Sequence, residues 1–430
     1  MATPINNNNN TTPYDVLSTY LSFPSHSQSQ WWTKTAPLLS RLLSSSGYST
    51  EQQYALLTFY HSQLIPRLGP HPSTFHSTIT VTGLPMEFSV NYSEKASHPM
   101  VRICSEPVND FSGTEKDPFN RGPPHELLSH LSSTLKGFDP SLFIYFSPRH
   151  TLSKEEQAKL PTSIPGGAKL KTQHAFGFDF KDAGIVVKGY SYPGLKCHLA
   201  ETETGTGAGK GKHISQLLGD ELLDLKNQGI MDCTSPWTII SEYMTEISGW
   251  GFHNLWAWDY VSPPSDSRLK FYTFVMDVPD KNKLTELWTL GGRATSPSHQ
   301  EGLRHLLDLW DIIDLAHCGK RELPEGAQQF PDGAAPMLWN YEMVPGEELP
   351  IAKPYFPLQG LNDEECVAKI AAYFERLGWK DLADEFPKTV QSYHPEKDLT
   401  KTTNLIFWIS YTYSQKSGVY LSVYYHPCPE

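Results

Sequence analysis

Met86-Glu87-Phe88-Ser89-Val90-Asn91-Tyr92-Ser93 alternates without a break, with Glu87, Ser89, Asn91 and Ser93 on one side and Met86, Phe88, Val90 and Tyr92 on the other. Side chains two apart in a strand share a face, so this stretch is a strand with one polar and one apolar surface. The next stretch repeats the pattern, Arg102, Cys104 and Glu106 alternating with Val101, Ile103 and Ser105, and the two read as a hairpin over 86–93 and 100–107. Four more hairpins follow, over 173–181 with 184–192, 252–261 with 268–276, 336–344 with 349–358, and 404–413 with 418–426. Pro345-Gly346 supplies the turn of the fourth. Helical periodicity lies between them at 52–68, 125–135, 214–227, 236–248, 300–316 and 363–377. Leu303, Leu306, Leu307, Trp310 and Ile313 form one apolar stripe there. Ten antiparallel strands with helices against one face hide their edges by closing into a barrel. The expected fold is therefore α+β: a single-domain, ten-stranded antiparallel β-barrel of five α-β-β-α units, helices outside, over residues 14–430. A disordered polar tail at 1–13 precedes it.

If the helices cover the apolar face, the polar face lines a lumen wide enough for ligands. Lys-x-Tyr recurs on that face at Lys188-Gly189-Tyr190, Lys270-Phe271-Tyr272 and Lys353-Pro354-Tyr355. Arg268 extends the second copy, Arg102 adds a fifth cation, and Tyr420 and Tyr424 add two more inward phenols. Five cations can neutralise a diphosphate without a metal through charge-assisted hydrogen bonds. The rings can stabilise a cation by about 0.5–2 kcal/mol each. Together the two sets suit an allyl cation forming as diphosphate leaves, and hence prenyl transfer. Glu87, the only acid in its strand, suits a carboxylate that accepts a hydrogen bond from an indole N–H and later a proton. An amphipathic core for the tyrosines and a salt bridge for Glu87 are the plainer readings of the same residues.

Composition narrows the partners. A formal net charge of −12 argues against a nucleic-acid ligand and makes a local basic cluster conspicuous. No apolar run approaches the roughly 18 residues that span a bilayer, so no membrane partner is expected. Six cysteines without any Cys-x-x-Cys fit a cytoplasmic chain with reduced thiols. Gly205 to Lys212 has no phosphate-loop register and reads as a surface loop. Asp308, Asp311 and Asp314 fall on the solvated side of a helix rather than in a magnesium site. The histidines lack metal-ligand spacing.

Several motifs carry a resemblance: Gly83-Leu84-Pro85-Met86-Glu87-Phe88-Ser89, Asp117-Pro118-Phe119-Asn120, Phe176-Gly177-Phe178-Asp179-Phe180, Arg268-Leu269-Lys270-Phe271-Tyr272, Trp288-Thr289-Leu290-Gly291-Gly292 and Tyr420-Leu421-Ser422-Val423-Tyr424. From about Tyr14 to His426 the chain resembles the fungal indole prenyltransferases of the dimethylallyltryptophan synthase family. That resemblance implies a barrel of α-β-β-α units and a metal-independent dimethylallyl transfer with no cofactor beyond the co-substrate, dimethylallyl diphosphate, in a monomer or homodimer of indole alkaloid metabolism. It implies that Glu87 holds the indole, with Met86 and Trp408 also at the acceptor. Arg102, Lys188, Arg268, Lys270 and Lys353 would bind diphosphate, and Tyr190, Tyr272, Tyr355, Tyr420 and Tyr424 would shield the cation. His174 falls where a proton-relay Lys is familiar, Lys353 where a Gln is, and Trp408 where a Tyr is.

Members using free tryptophan need a cation for its carboxylate in the strand before Arg268, and residues 251–264 contain no Lys or Arg. The expected acceptor is thus uncharged. The texture of 408–413 and 418–420 looks most like the subgroup that prenylates tryptophan-containing cyclic dipeptides, such as brevianamide F, commonly in reverse orientation at indole C2. Free tryptophan or another aromatic acceptor is the alternative, and a non-catalytic barrel carrier of aromatic ligands is a rival from another class.

Overall fold

The alternation closes on itself. In the computed structural model, which describes residues 11–160, 171–204, 212–251, 253–275, 278, 280–315 and 337–427, ten strands form a closed antiparallel barrel. They are β1 (Met86–Ser93), β2 (Met100–Ser105), β3 (His174–Lys181), β4 (Gly184–Ser191), β5 (Leu255–Asp259), β6 (Leu269–Val275), β7 (Met337–Met343), β8 (Ile351–Pro357), β9 (Ile406–Ser414) and β10 (Gly418–Tyr425). Each pairs with its sequence neighbours, and β1 pairs with β10 to leave no edge. Every expected strand is present. The largest shift is at the start of β5, at Leu255 rather than 252.

Helices surround the barrel: α1 (Pro13–Tyr20), α2 (His26–Ser45), α3 (Thr50–Phe59), α4 (Gly122–Thr134), α5 (Ser141–His150), α6 (Lys154–Gln157), α7 (Gly194–Thr204), α8 (Lys212–Asn227), α9 (Thr234–Glu246), α10 (Lys281–Thr289), α11 (Pro297–Ile313), α12 (Asp363–Arg376) and α13 (Lys380–Tyr393). The apolar strand face packs against them. Phe88 meets Tyr60, and Tyr92 meets Phe374 and Phe386. Full burial of each such side chain stabilises the shell by about 1.5–3 kcal/mol. In α11, Leu306, Leu309, Trp310 and Ile313 are buried while Asp308 and Asp311 face outward to Arg376 and Lys281.

Local chemistry corrects some boundaries. The helix expected over 52–68 is α only to Phe59, then a π turn and a 3-10 turn, because Pro66 has no N–H to continue the ladder. The expected tail ends early: Thr12 caps α1, with Pro13 at its first position. Residues 1–10, most of the 205–212 loop, Cys318 and Cys428 lie outside the described residues; Cys104, Cys197 and Cys233 are free thiols. In β9, Trp408 pairs with Tyr424 and Ile406 with Tyr425, so Phe407 is an extra residue. This bulge lets Ile406 face the helices while Trp408 faces the lumen. No helix among the described residues is long and apolar enough to cross a membrane.

Candidate active site

Register brings the inward residues into three zones. At one end the cations of β2, β4 and β6 meet carboxylates from the strands beside them. Arg102 faces Asp179 across β2 and β3 and grips both its oxygens, with one Nη2–Oδ2 contact at 3.1 Å. Lys188 donates to the same Oδ2. Asp259 accepts from Arg268 Nε at 2.7 Å and from Lys270 Nζ at 3.0 Å, and Arg268 reaches on to Glu342 at 3.2 Å. Burial alone would raise the Asp179 pKa, but Arg102 and Lys188 outweigh it and hold the carboxyl well below its usual range. Burial, then the neighbouring Arg102, pulls Lys188 down to about 7. Arg268 is the open member, its side chain 38 % exposed, and marks the mouth.

Lys353 completes the expected five but is held differently. Its ammonium nitrogen lies 3.5 Å from Ser422 Oγ and 5.4 and 5.0 Å from the ring centroids of Tyr355 and Tyr420.

Across the middle runs a belt of phenols, one from each of β4, β6, β8 and β10. Tyr190 lies 6.0 Å from Tyr272, Tyr272 lies 6.2 Å from Tyr355, and Tyr355 lies 5.9 Å from Tyr424. Burial raises all four phenols above their usual range and keeps them neutral. Leu255, Ala257 and Leu338 join Tyr272, Tyr190, Tyr192 and Tyr355 in a cluster separate from the shell under the helices. Gly189, between Lys188 and Tyr190, is demanded from outside the barrel. A Cβ there would stand 2.5 Å from the Trp258 ring.

Beyond the belt is Glu87, directly opposite Cys104. Burial raises its carboxyl to about 8, against the pull of Arg102. Trp408 faces inward beside Tyr424. Glu106, on the same face, is fully buried and accepts from Ser77, Thr172 and Asn120 at 2.5, 2.7 and 2.9 Å. That explains the Asp117–Asn120 motif, whose Asn120 side chain ties the loop to the barrel end.

Two expected residues sit elsewhere. His174 has the parity of Phe176 and Phe178 and points at the helices, where it contacts Ser147 at 3.0 Å and packs, tilted, against the Phe143 ring at 4.7 Å. Burial lowers its pKa to about 3, so it is a neutral packing group and no relay into the lumen. Met86 also faces outward, its sulfur accepting from Tyr60 at 3.4 Å, and cannot touch a luminal acceptor. Conversely, Asp179, Asp259 and Glu342 were not expected. Alternation alone places Asp179 opposite to Phe176 and Phe178, but its role emerges only from register with Arg102. Among the described residues no group of three or more His, Cys, Asp or Glu side chains could hold a metal.

The comparisons agree with the fold. The Tryptophan dimethylallyltransferase family model matches residues 27–389. The chain is 61% identical over 419 residues to tryptophan dimethylallyltransferase nptA of Emericella nidulans, covering 97% of this chain and 94% of that one. It is 37% identical to deoxybrevianamide E synthase notF of an Aspergillus species, covering 96% and 90%. The crystal structure of NotF in complex with brevianamide F and DMSPP superposes with a TM-score of 0.84 at 37% identity, covering 97% and 98%. AnaPT from Neosartorya fischeri superposes at 0.80 with 30% identity, again over 97% and 98%. The expected likeness to cyclic-dipeptide enzymes is therefore the weaker one, since the relative named for tryptophan is far more similar in sequence. The chain belongs to the tryptophan dimethylallyltransferase family of indole prenyltransferases.

Proposed function

We propose that the chain transfers the dimethylallyl group of dimethylallyl diphosphate to the indole ring of tryptophan. One observation carries the reading: a single lumen sets a cationic end, a belt of four neutral phenols and the Glu87 carboxylate in sequence. Arg102, Lys188, Arg268, Lys270 and Lys353 take the diphosphate, exchanging their carboxylate partners in part for phosphate oxygens. The allylic C–O bond breaks, its electron pair leaving on diphosphate. The belt, with Tyr420 beside it, faces the cation at about 0.5–2 kcal/mol per ring and keeps water away. Ionised Glu87 accepts the indole N–H and enriches the ring. A ring carbon attacks the cation, and the proton released as aromaticity returns passes to Glu87. Trp408 packs against the acceptor. No step calls on a metal.

Free tryptophan is the first acceptor, supported by the name of the relative at 61% identity. A second reading, a tryptophan-containing cyclic dipeptide prenylated in reverse at C2, is favoured by the Glu87 end. Its inward residues Cys104, Tyr192, Leu255, Leu338 and Trp408 include no cation for a free carboxylate. Incubation with dimethylallyl diphosphate and EDTA, with tryptophan and cyclo-Trp-Pro in competition, tests both by mass spectrometry. One added prenyl group on tryptophan is expected. Product on the dipeptide alone would select the second reading, and none on any indole would refute the enzyme.

A further inference from the structure

Four of the five luminal cations are committed to carboxylates within ion-pair distance. Lys353 is not. No ion pair to it forms among the described residues, and its only hydrogen-bond contact there is the 3.5 Å approach to Ser422 Oγ. The residue opposite it in β7 is Asn340, 2 % exposed, whose side-chain oxygen has no hydrogen-bond partner. An amine with donors to spare therefore stands beside an acceptor without a donor. Both lie on the border between the cationic end, where Glu342 follows Asn340, and the rings of Tyr272 and Tyr355.

We propose that Lys353 is the general acid of the transfer, giving a proton to the diphosphate oxygen as that oxygen leaves the allylic carbon. The proposal rests on the dimethylallyl diphosphate reading above. As the C–O bond breaks, its electron pair stays on oxygen; the Nζ–H bond breaks with its pair staying on nitrogen, and the proton joins the oxygen. The products are the allyl cation, protonated diphosphate and a neutral amine. Positive charge thus leaves Lys353 as it appears on carbon, and the leaving group's net charge does not grow. Without that transfer, Tyr355 would face an ammonium 5.4 Å away and an allyl cation together.

The groups facing Lys353 suit such a cycle. Burial first, then Arg102 and Lys188, favours the neutral amine in the empty lumen, opposed by Glu342 and Asp179. The phenols of Tyr355 and Tyr420 remain neutral throughout. A diphosphate ester adds the missing negative charge, so its arrival brings the proton that its departure removes. The Asn340 oxygen can accept from the ammonium in between.

The test compares wild type with Lys353→Gln, which keeps a polar contact but has no proton to give, and with Lys353→Met as a second variant of similar length. The expected result is a loss of about 10²–10⁴-fold in kcat, a KM for dimethylallyl diphosphate changed less than about tenfold, and disappearance of the alkaline fall in kcat. Survival of that fall, or a loss confined to KM, would overturn the proposal. A second readout needs no turnover: calorimetric titration with inorganic diphosphate in buffers of different ionisation enthalpy. Wild type is expected to take up about one proton more than either variant. Equal uptake would overturn the acid role with the diphosphate site intact, whereas failure of wild type to bind diphosphate would remove the site reading itself.

Discussion

Asp179→Asn should convert a stable empty barrel into one that needs its ligand. Asp179 is 3 % exposed and bridges Arg102 and Lys188, so the substitution leaves two cations facing each other across the lumen. Removing one partner of a buried ion pair costs about 3–5 kcal/mol. The lower end applies here, about 3 kcal/mol, because Lys188 can shed its proton while Arg102 cannot. For 430 residues, an unfolding entropy of about 2.1 cal/mol/K per residue gives about 0.9 kcal/mol/K, and the melting temperature should fall by about 3 °C. Saturating inorganic diphosphate supplies the lost negative charge, so it should raise the variant's Tm by more than it raises that of wild type. Differential scanning fluorimetry with and without diphosphate measures both. An unchanged Tm in the empty variant, or equal stabilisation of the two proteins, would refute the idea that this carboxylate stands in for diphosphate.

Other outcomes follow from the same geometry. Glu87→Gln should retain diphosphate binding yet lose about 10²–10⁴-fold in kcat. Because catalysis needs the carboxylate and burial raises that group to about 8, wild-type kcat/KM for the acceptor should climb with pH through about 8, ahead of the alkaline fall that Lys353 imposes. A profile already flat below pH 7 would contradict this. Tyr272→Phe should keep most activity since the ring remains, whereas Tyr272→Ala should divert product to dimethylallyl alcohol, seen by gas chromatography; equal effects of the two would remove the shield role. His174→Asn should lower Tm through lost packing on Phe143 while leaving kcat within about threefold of wild type, and a large kcat loss at unchanged Tm would restore it to the chemistry. At acid pH the Asp179 and Asp259 pairs protect the fold. Both carboxyls are depressed, so their stabilisation is complete above the usual carboxylate range and lost as pH drops towards their folded values.

The strands were legible because a strand with one polar and one apolar face must alternate, and β1 and β10 do so in sequence. Inward-facing cations and phenols were legible for the same reason. The carboxylates were harder. Asp259 closes a strand reading Leu-Trp-Ala-Trp-Asp, where two Trp mask the alternation, and nothing in that strand says that Lys188 lies opposite. Alternation already set Met86 with Phe88 on the apolar face, and only the resemblance put it at the acceptor. His174 begins a strand, and counted from Phe176 it too falls on the helix side. The Phe407 bulge escapes sequence reading because one extra residue leaves no compositional trace.

The luminal cluster of Leu255, Ala257, Tyr272 and their neighbours is separate from the large shell packed beneath the helices. Most of the apolar packing is thereby held in the shell, apart from the lumen. On the proposed placing of the acceptor in this lumen, positions such as Leu255 and Leu338 can change size with little effect on the shell, so acceptor preference can drift over generations while the barrel stays constant. A barrel divided in this way can serve many indoles with one architecture, and engineering of a new acceptor can be confined to its inner wall.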